Sequence, residues 1–116
     1  MDERLDSTAG GHLSLDQNLR VCAVDDSFCR LFEYKEKGVI GVHFESLLTR
    51  ASRVFFQMYF LPLIRLNHHV DRMNLKVKTG NGGTSSVLFH ADLRNCGEEW
   101  IYDCSLIPIA GVNEHG

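Results

Sequence analysis

The chain has 116 residues, 44% apolar and 23% charged, so it can bury one core without disulfide or metal staples and reads as a single globular domain. Its formal net charge of -3, with no basic run, excludes the electrostatic footprint of a nucleic-acid binder. The amino terminus MDERLDS is acidic where a secretory signal is basic and then apolar, and the longest apolar stretch, Met58 to Ile64, is too short to cross a bilayer. A cytoplasmic domain with no membrane span is the expectation. Four cysteines, at 22, 29, 96 and 104, lack both zinc-site spacing and a secreted context, and are expected to be reduced thiols.

Residues 1–10 carry charge and small residues without periodicity and are expected to form a flexible leader. From Gly11 the pattern is regular. His12, Leu13, Ser14 and Leu15 alternate as in a half-buried strand, Asp16 to Asn18 can turn, and Leu19 to Val24 returns, giving a hairpin. Asp25 or Asp26 then ends the strand and can cap a short helix in which Phe28, Leu31 and Phe32 share a face. Gly38 and Gly41 punctuate the next segment, and Phe44 to Leu48 has the length of a single helical turn.

The stretch from Thr49 to Asn67, TRASRVFFQMYFLPLIRLN, is a helix that is apolar almost all round. Thr49 is the expected N-cap, with Ser52 as a second candidate. Phe55, Met58, Tyr59, Pro62 and Leu66 line one side, flanked by Phe56, Phe60 and Leu63. One side should face the body of the domain and another a ligand, a second subunit or a neighbouring domain. Pro62 lacks an amide proton and crowds the carbonyl of Met58, so the helix is expected to kink or stop near Leu61.

The second half is β. Met73, Leu75 and Val77 alternate with polar residues, and Gly80 to Gly83 supply the positive backbone dihedrals of a hairpin loop. Val87, Phe89, Ala91 and Leu93 form one face of the next strand, opposite Leu88, His90, Asp92 and Arg94. Cys96 to Glu99 turns into a last strand, Trp100 to Ile109, with Pro108 placed at an edge or terminus, and residues 110–116 form an unstructured tail. Two strands, helices and three strands give an α+β domain: a five-stranded antiparallel sheet with the helices, one of them long and central, on one face.

This order of elements, the opening GHLSLDQNLRVCAVDDSFCRLFEY, Gly41 before a short helix and the closing three-strand meander resemble a PAS domain over residues 11–109. The segment LLTRASRVFFQMYFLPLIRLNHHVDRMNLKVKTGNGG is similar to PAS domains of bacterial regulators with phosphatase, histidine kinase or diguanylate cyclase outputs. Two positions depart from the common pattern: Asp25 stands where asparagine is usual, and His68 and His69 where a glycine is common.

The resemblance implies a cavity between sheet and long helix that holds haem, flavin, a small organic acid or nothing. Its wall would come from Phe55, Phe56, Tyr59 and Phe60 on the helix, Val21 and Ala23 on the second strand, Met73, Leu75 and Val77, then Phe89 and Ala91 and the last strand. Arg53, Arg65 and Arg72 are the cations best placed to pair with the anionic head group of a small carboxylate or aromatic metabolite. A light-driven flavin adduct is not expected, because no cysteine lies between Cys29 and Cys96. Haem would need an axial ligand, for which His68, His69 and His90 are the candidates.

The expected function is a sensory or regulatory domain that binds a small ligand, or pairs with a second copy, to control an output domain in cis or in trans. Two alternatives compete with it. One is a ligand-free interaction and homodimerisation module. The other is a small α+β cone-fold enzyme, an isomerase or dehydratase, which would need a buried His/Asp pair in a pocket; His90 and Asp92, on one strand face, are the residues to watch. No nucleophile elbow or metal-binding pair accompanies them.

Overall fold

The computed structural model describes residues 10–109, so the expected tail and all of the leader but Gly10 lie outside the described residues. The hairpin is β1 (Gly11–Leu15) and β2 (Val21–Val24). Then come helix α1 (Asp26–Phe32), a one-turn helix α2 (Glu36–Val39), a 3-10 turn (Phe44–Leu47) and the long helix α3 (Arg50–Asn67). The meander is β3 (His69–Lys78), β4 (Thr84–Cys96) and β5 (Glu99–Pro108). The sheet runs β2-β1-β5-β4-β3, every neighbour antiparallel, and Pro108 is the last residue of its strand.

The period of two decides which face of the sheet is dry. Leu13, Leu15, Met73, Leu75, Val77, Val87, Phe89, Ala91, Tyr102, Cys104 and Leu106 are buried on one face. All the helices lie on that face and contribute Phe28, Phe32, Val39, Phe44, Leu47, Phe56, Phe60 and Ile64 to the same core. Because Leu13 sits opposite Cys104, the first strand completes a layer begun by the last, and the two halves of the chain depend on each other. All four cysteines are free, and burial pushes the Cys104 thiol well above its ordinary range.

Both sheet edges are partly covered, which blunts their tendency to pair with other strands. At β2, Val21 donates its amide to Val42 and accepts from Gly41. At β3, Lys76 accepts from the Thr49 amide and donates its own to Ser52 Oγ at 2.8 Å. Thr49 caps α3 through Ser52 N, so Ser52, the second cap candidate, serves instead to tie the helix to the edge strand.

Helix α3 does not stop at Leu61; it runs unbroken through Pro62 to Asn67. Pro62 is exposed, so its ring and the carbonyl of Met58 that loses its intrahelical partner lie on the side of the helix turned away from the core. The helix ends at His68, which is left-handed (φ 64) and returns its amide to Ile64 at 2.8 Å. A histidine thus fills a backbone slot that favours glycine.

Asp25 joins three elements. One carboxylate oxygen accepts from the amides of Phe28 (2.8 Å) and His12 (3.1 Å), capping α1 and holding it to β1, while the other meets the His12 ring at 3.1 Å. Partial burial would raise its pKa, but these hydrogen bonds outweigh that and leave it below the ordinary 3.8. A depressed carboxylate stabilises the fold fully above its unfolded pKa, and that stabilisation is lost as pH falls below 3.8 through the folded value. Asp25→Ala is therefore expected to cost about 2 kcal/mol at pH 7, the upper range for a lost cap. Asp25→Asn, which keeps the accepting oxygen, should cost less than about 1 kcal/mol and soften the loss of stability in acid. Urea unfolding at pH 7 and pH 3 measures both; equal costs for Ala and Asn would contradict the capping role.

Candidate functional site

The layer between α3 and the sheet, where the resemblance implies a ligand cavity, is occupied by aromatic rings. Phe56 and Phe60 stack at 4.6 Å between centroids, and both meet Phe89 edge-on at 5.9 Å. Phe44 closes on Phe56 and Phe89 at 5.2 Å, and Phe60 reaches Tyr102 at 5.5 Å. These are ordinary spacings of packed aromatic pairs. Of the expected wall residues, Phe56, Phe60, Val21, Met73, Leu75, Val77, Phe89 and Ala91 all lie in this layer and pack on one another.

Three others do not. Phe55 and Tyr59 sit on the neighbouring stripe of α3, their ring centroids 4.8 Å apart, and are exposed. The helix buries Phe56, Phe60 and Ile64, one stripe four residues apart, and turns the neighbouring stripe outward. Ala23 lies on the outer face of the sheet. Leu15 pairs with Val21 but Ser14 with Ala23, so one extra residue, Cys22, interrupts the alternation. Of the arginines, Arg65 and Arg72 are exposed, Arg72 with positive φ (58) in the β3 bulge, while Arg53 is half-buried beside the 3-10 turn.

The outward stripe of α3 is the largest apolar feature left uncovered among the described residues. It comprises Val54, Phe55, Met58 (59% exposed), Tyr59, Leu63 and Leu66 (78% exposed). Beside it a cleft of about 400 Å³ runs between Phe55, Tyr59 and Leu63 on the helix and Val70 to Met73 on β3. Contiguous exposed apolar surface of this kind is the usual mark of an interaction site.

The outer face of the sheet is polar. His12 and His90 both lie opposite Ser105, and their outer neighbours are Asp25 and Asp71, giving a row of five side chains across the strands. His90 Nδ1 meets Asp71 at 2.6 Å, not Asp92. The next row holds Ser14, Asp103 and Asp92. There the Arg94 guanidinium grips Asp103 with two nitrogens, and that bond, assisted by Ser14 against partial burial, lowers the Asp103 pKa. A cleft of about 570 Å³ spans this face.

The cone-fold alternative needs a buried His/Asp pair, and among the described residues no polar or charged side chain is buried. An axial haem ligand would have to enter the layer between α3 and the sheet. His90 points to the outer face, and His68 and His69 are exposed beyond the end of α3, so these residues do not fit haem.

No family model matches the chain. Its fold is close to that of a PAS domain from a two-component sensor histidine kinase, with a TM-score of 0.75 and 14% identity over 92% of this chain and 91% of that one. A PAS domain of an HTR-like protein from Haloarcula marismortui superposes with a TM-score of 0.74 and 20% identity, covering 93% and 91%. In sequence the chain is 31% identical over 115 residues to the phosphoserine phosphatase RsbP of Bacillus subtilis (strain 168), a match to 99% of this chain and 28% of that protein. The chain thus spans about 28% of the curated relative's length, and its fold is that of PAS domains.

Proposed function

We propose that this chain, a PAS domain by fold, is a sensory or regulatory module of a signalling protein that acts by contact and not by catalysis. The observation that carries the reading is the division of α3: one stripe packs ring on ring into the sheet, and the adjacent stripe is equally apolar yet exposed. The occupant of that exposed stripe is a second copy of the chain. Pairing through α3 couples the two domains by the element that also fixes each core, so a shift in the helix repacks both at once. An output in cis or in trans reads the arrangement, and the likeness to RsbP favours a phosphatase as that output. A cytoplasmic setting suits such a role, and no described helix is long and apolar enough to cross a membrane.

Sedimentation of the wild type and of Met58→Asp across a concentration series tests the contact. The wild type is expected to associate reversibly. A carboxylate at position 58 should weaken association at least tenfold, about 1.4 kcal/mol, because the charge would be desolvated at the seam. Met58 is mostly exposed, so folding stability should change by less than about 1 kcal/mol. A wild type that stays monomeric throughout, or a variant that pairs as well as the parent, would refute the reading.

A further inference from the structure

A second site lies at the start of α3 and shares no side chain with the exposed stripe. A cleft of about 350 Å³ is lined by His43, Glu45, Ser46, Arg53 and Lys78. Arg53 stands half-buried on the wall of this cleft, and its Nε, shut off from solvent, has no hydrogen-bond partner among the described residues. A buried guanidinium N–H left unmade costs more than a typical hydrogen bond returns, so such an atom calls for an acceptor.

No acceptor among the described residues meets it. Glu45 is the carboxylate of the cleft, and it accepts from Gln57 Nε2 at 2.7 Å; no carboxylate among the described residues reaches ion-pair distance of Arg53 or Lys78. His43 Nδ1 accepts from the Glu45 amide at 3.3 Å, which leaves its Nε2 as the proton-bearing nitrogen. Ser46 adds a hydroxyl on the same rim. The first turn of α3 carries Arg50 and no acidic residue, so the local field adds to the excess of donors and positive charge.

We infer that this cleft binds the oxyanion head group, carboxylate or phosphate, of a small molecule. Arg53 is its central donor, and Lys78, His43 and Ser46 stand around it. None of the five residues that line it belongs to the stripe proposed to pair, so the two sites can be varied separately.

The test is a titration of the isotope-labelled chain with inorganic phosphate and, separately, with succinate, followed by amide shifts against sodium chloride at equal ionic strength. At least one anion should give saturable shifts at Glu45, Ser46, Arg53 and Lys78; which one does so identifies the head group. Arg53→Met should weaken that binding about tenfold, and Lys78→Met, a change at an exposed position less apt to disturb folding, about threefold. Linear, non-saturating shifts with both anions would overturn the inference. So would unaltered affinity in both variants.

Discussion

Phe89→Ala is expected to destabilise the domain by about 3–5 kcal/mol, the range for removing a buried aromatic ring. Phe89 is fully buried on β4 at the meeting point of Phe44, Phe56 and Phe60. Its loss removes three aromatic contacts together with the area it buries, and the neighbouring rings, held by two separate helical elements, cannot collapse into the space. Set against a total of about 5–15 kcal/mol for an ordinary domain, one substitution would forfeit a large share of the stability. Urea unfolding measures it, as a shifted midpoint at an unchanged slope. The hole should also admit benzene, which would recover part of the loss in the variant and leave the wild type unaffected. A cost under about 1.5 kcal/mol, or equal stabilisation of both proteins by benzene, would mean that the rings enclose a cavity already.

Gly80→Ala is expected to cost about 2–3 kcal/mol, at the top of the range for overpacking. Gly80 donates its amide to Phe32 at 2.9 Å, and the Tyr34 hydroxyl donates to the Lys78 carbonyl, so the end of α1 is docked on the loop between β3 and β4. A Cβ at Gly80 would fall on the Glu33 carbonyl oxygen, a backbone atom whose residue is already left-handed (φ 63) and cannot swing aside. Gly82 makes the contrast. Its φ of 95 disfavours a side chain, yet nothing lies within 4 Å of the position a Cβ would take, so Gly82→Ala should cost only about 1–2 kcal/mol of dihedral strain. Thermal melts of the two variants give the ordering; a greater loss at Gly82 than at Gly80 would contradict the docking.

This pair also shows where local sequence logic succeeds and where it runs out. A glycine-rich loop announces a hairpin, and the hairpin is there, but of Gly80, Gly82 and Gly83 only Gly82 needs a positive φ; Gly80 answers to α1, more than forty positions back in the chain. Strand alternation is legible because period two needs only neighbours, and Met73, Leu75, Val77, Phe89 and Ala91 all face the core as their spacing implies. One extra residue at Cys22 reverses Ala23, and nothing in the composition of VCAV reveals it. The caps at Asp25 and Thr49 were readable from their side-chain chemistry. On α3 the two stripes, Phe56 with Phe60 and Phe55 with Tyr59, are alike in composition, so their assignment depends on the sheet they meet. Pro62 could persist within the helix because it points away from the domain's own core, again a tertiary fact.

The proposed contact through α3 is tested most directly by isotope-filtered nuclear Overhauser spectra on a mixture of labelled and unlabelled chains, which report only proximities between copies. The expected result is cross-peaks from the Met58 methyl to the Phe55 or Tyr59 rings of the other copy. Intermolecular peaks confined to the outer sheet face, at His12, His90 and Ser105, or no such peaks at a concentration where the chain sediments as a pair, would contradict it.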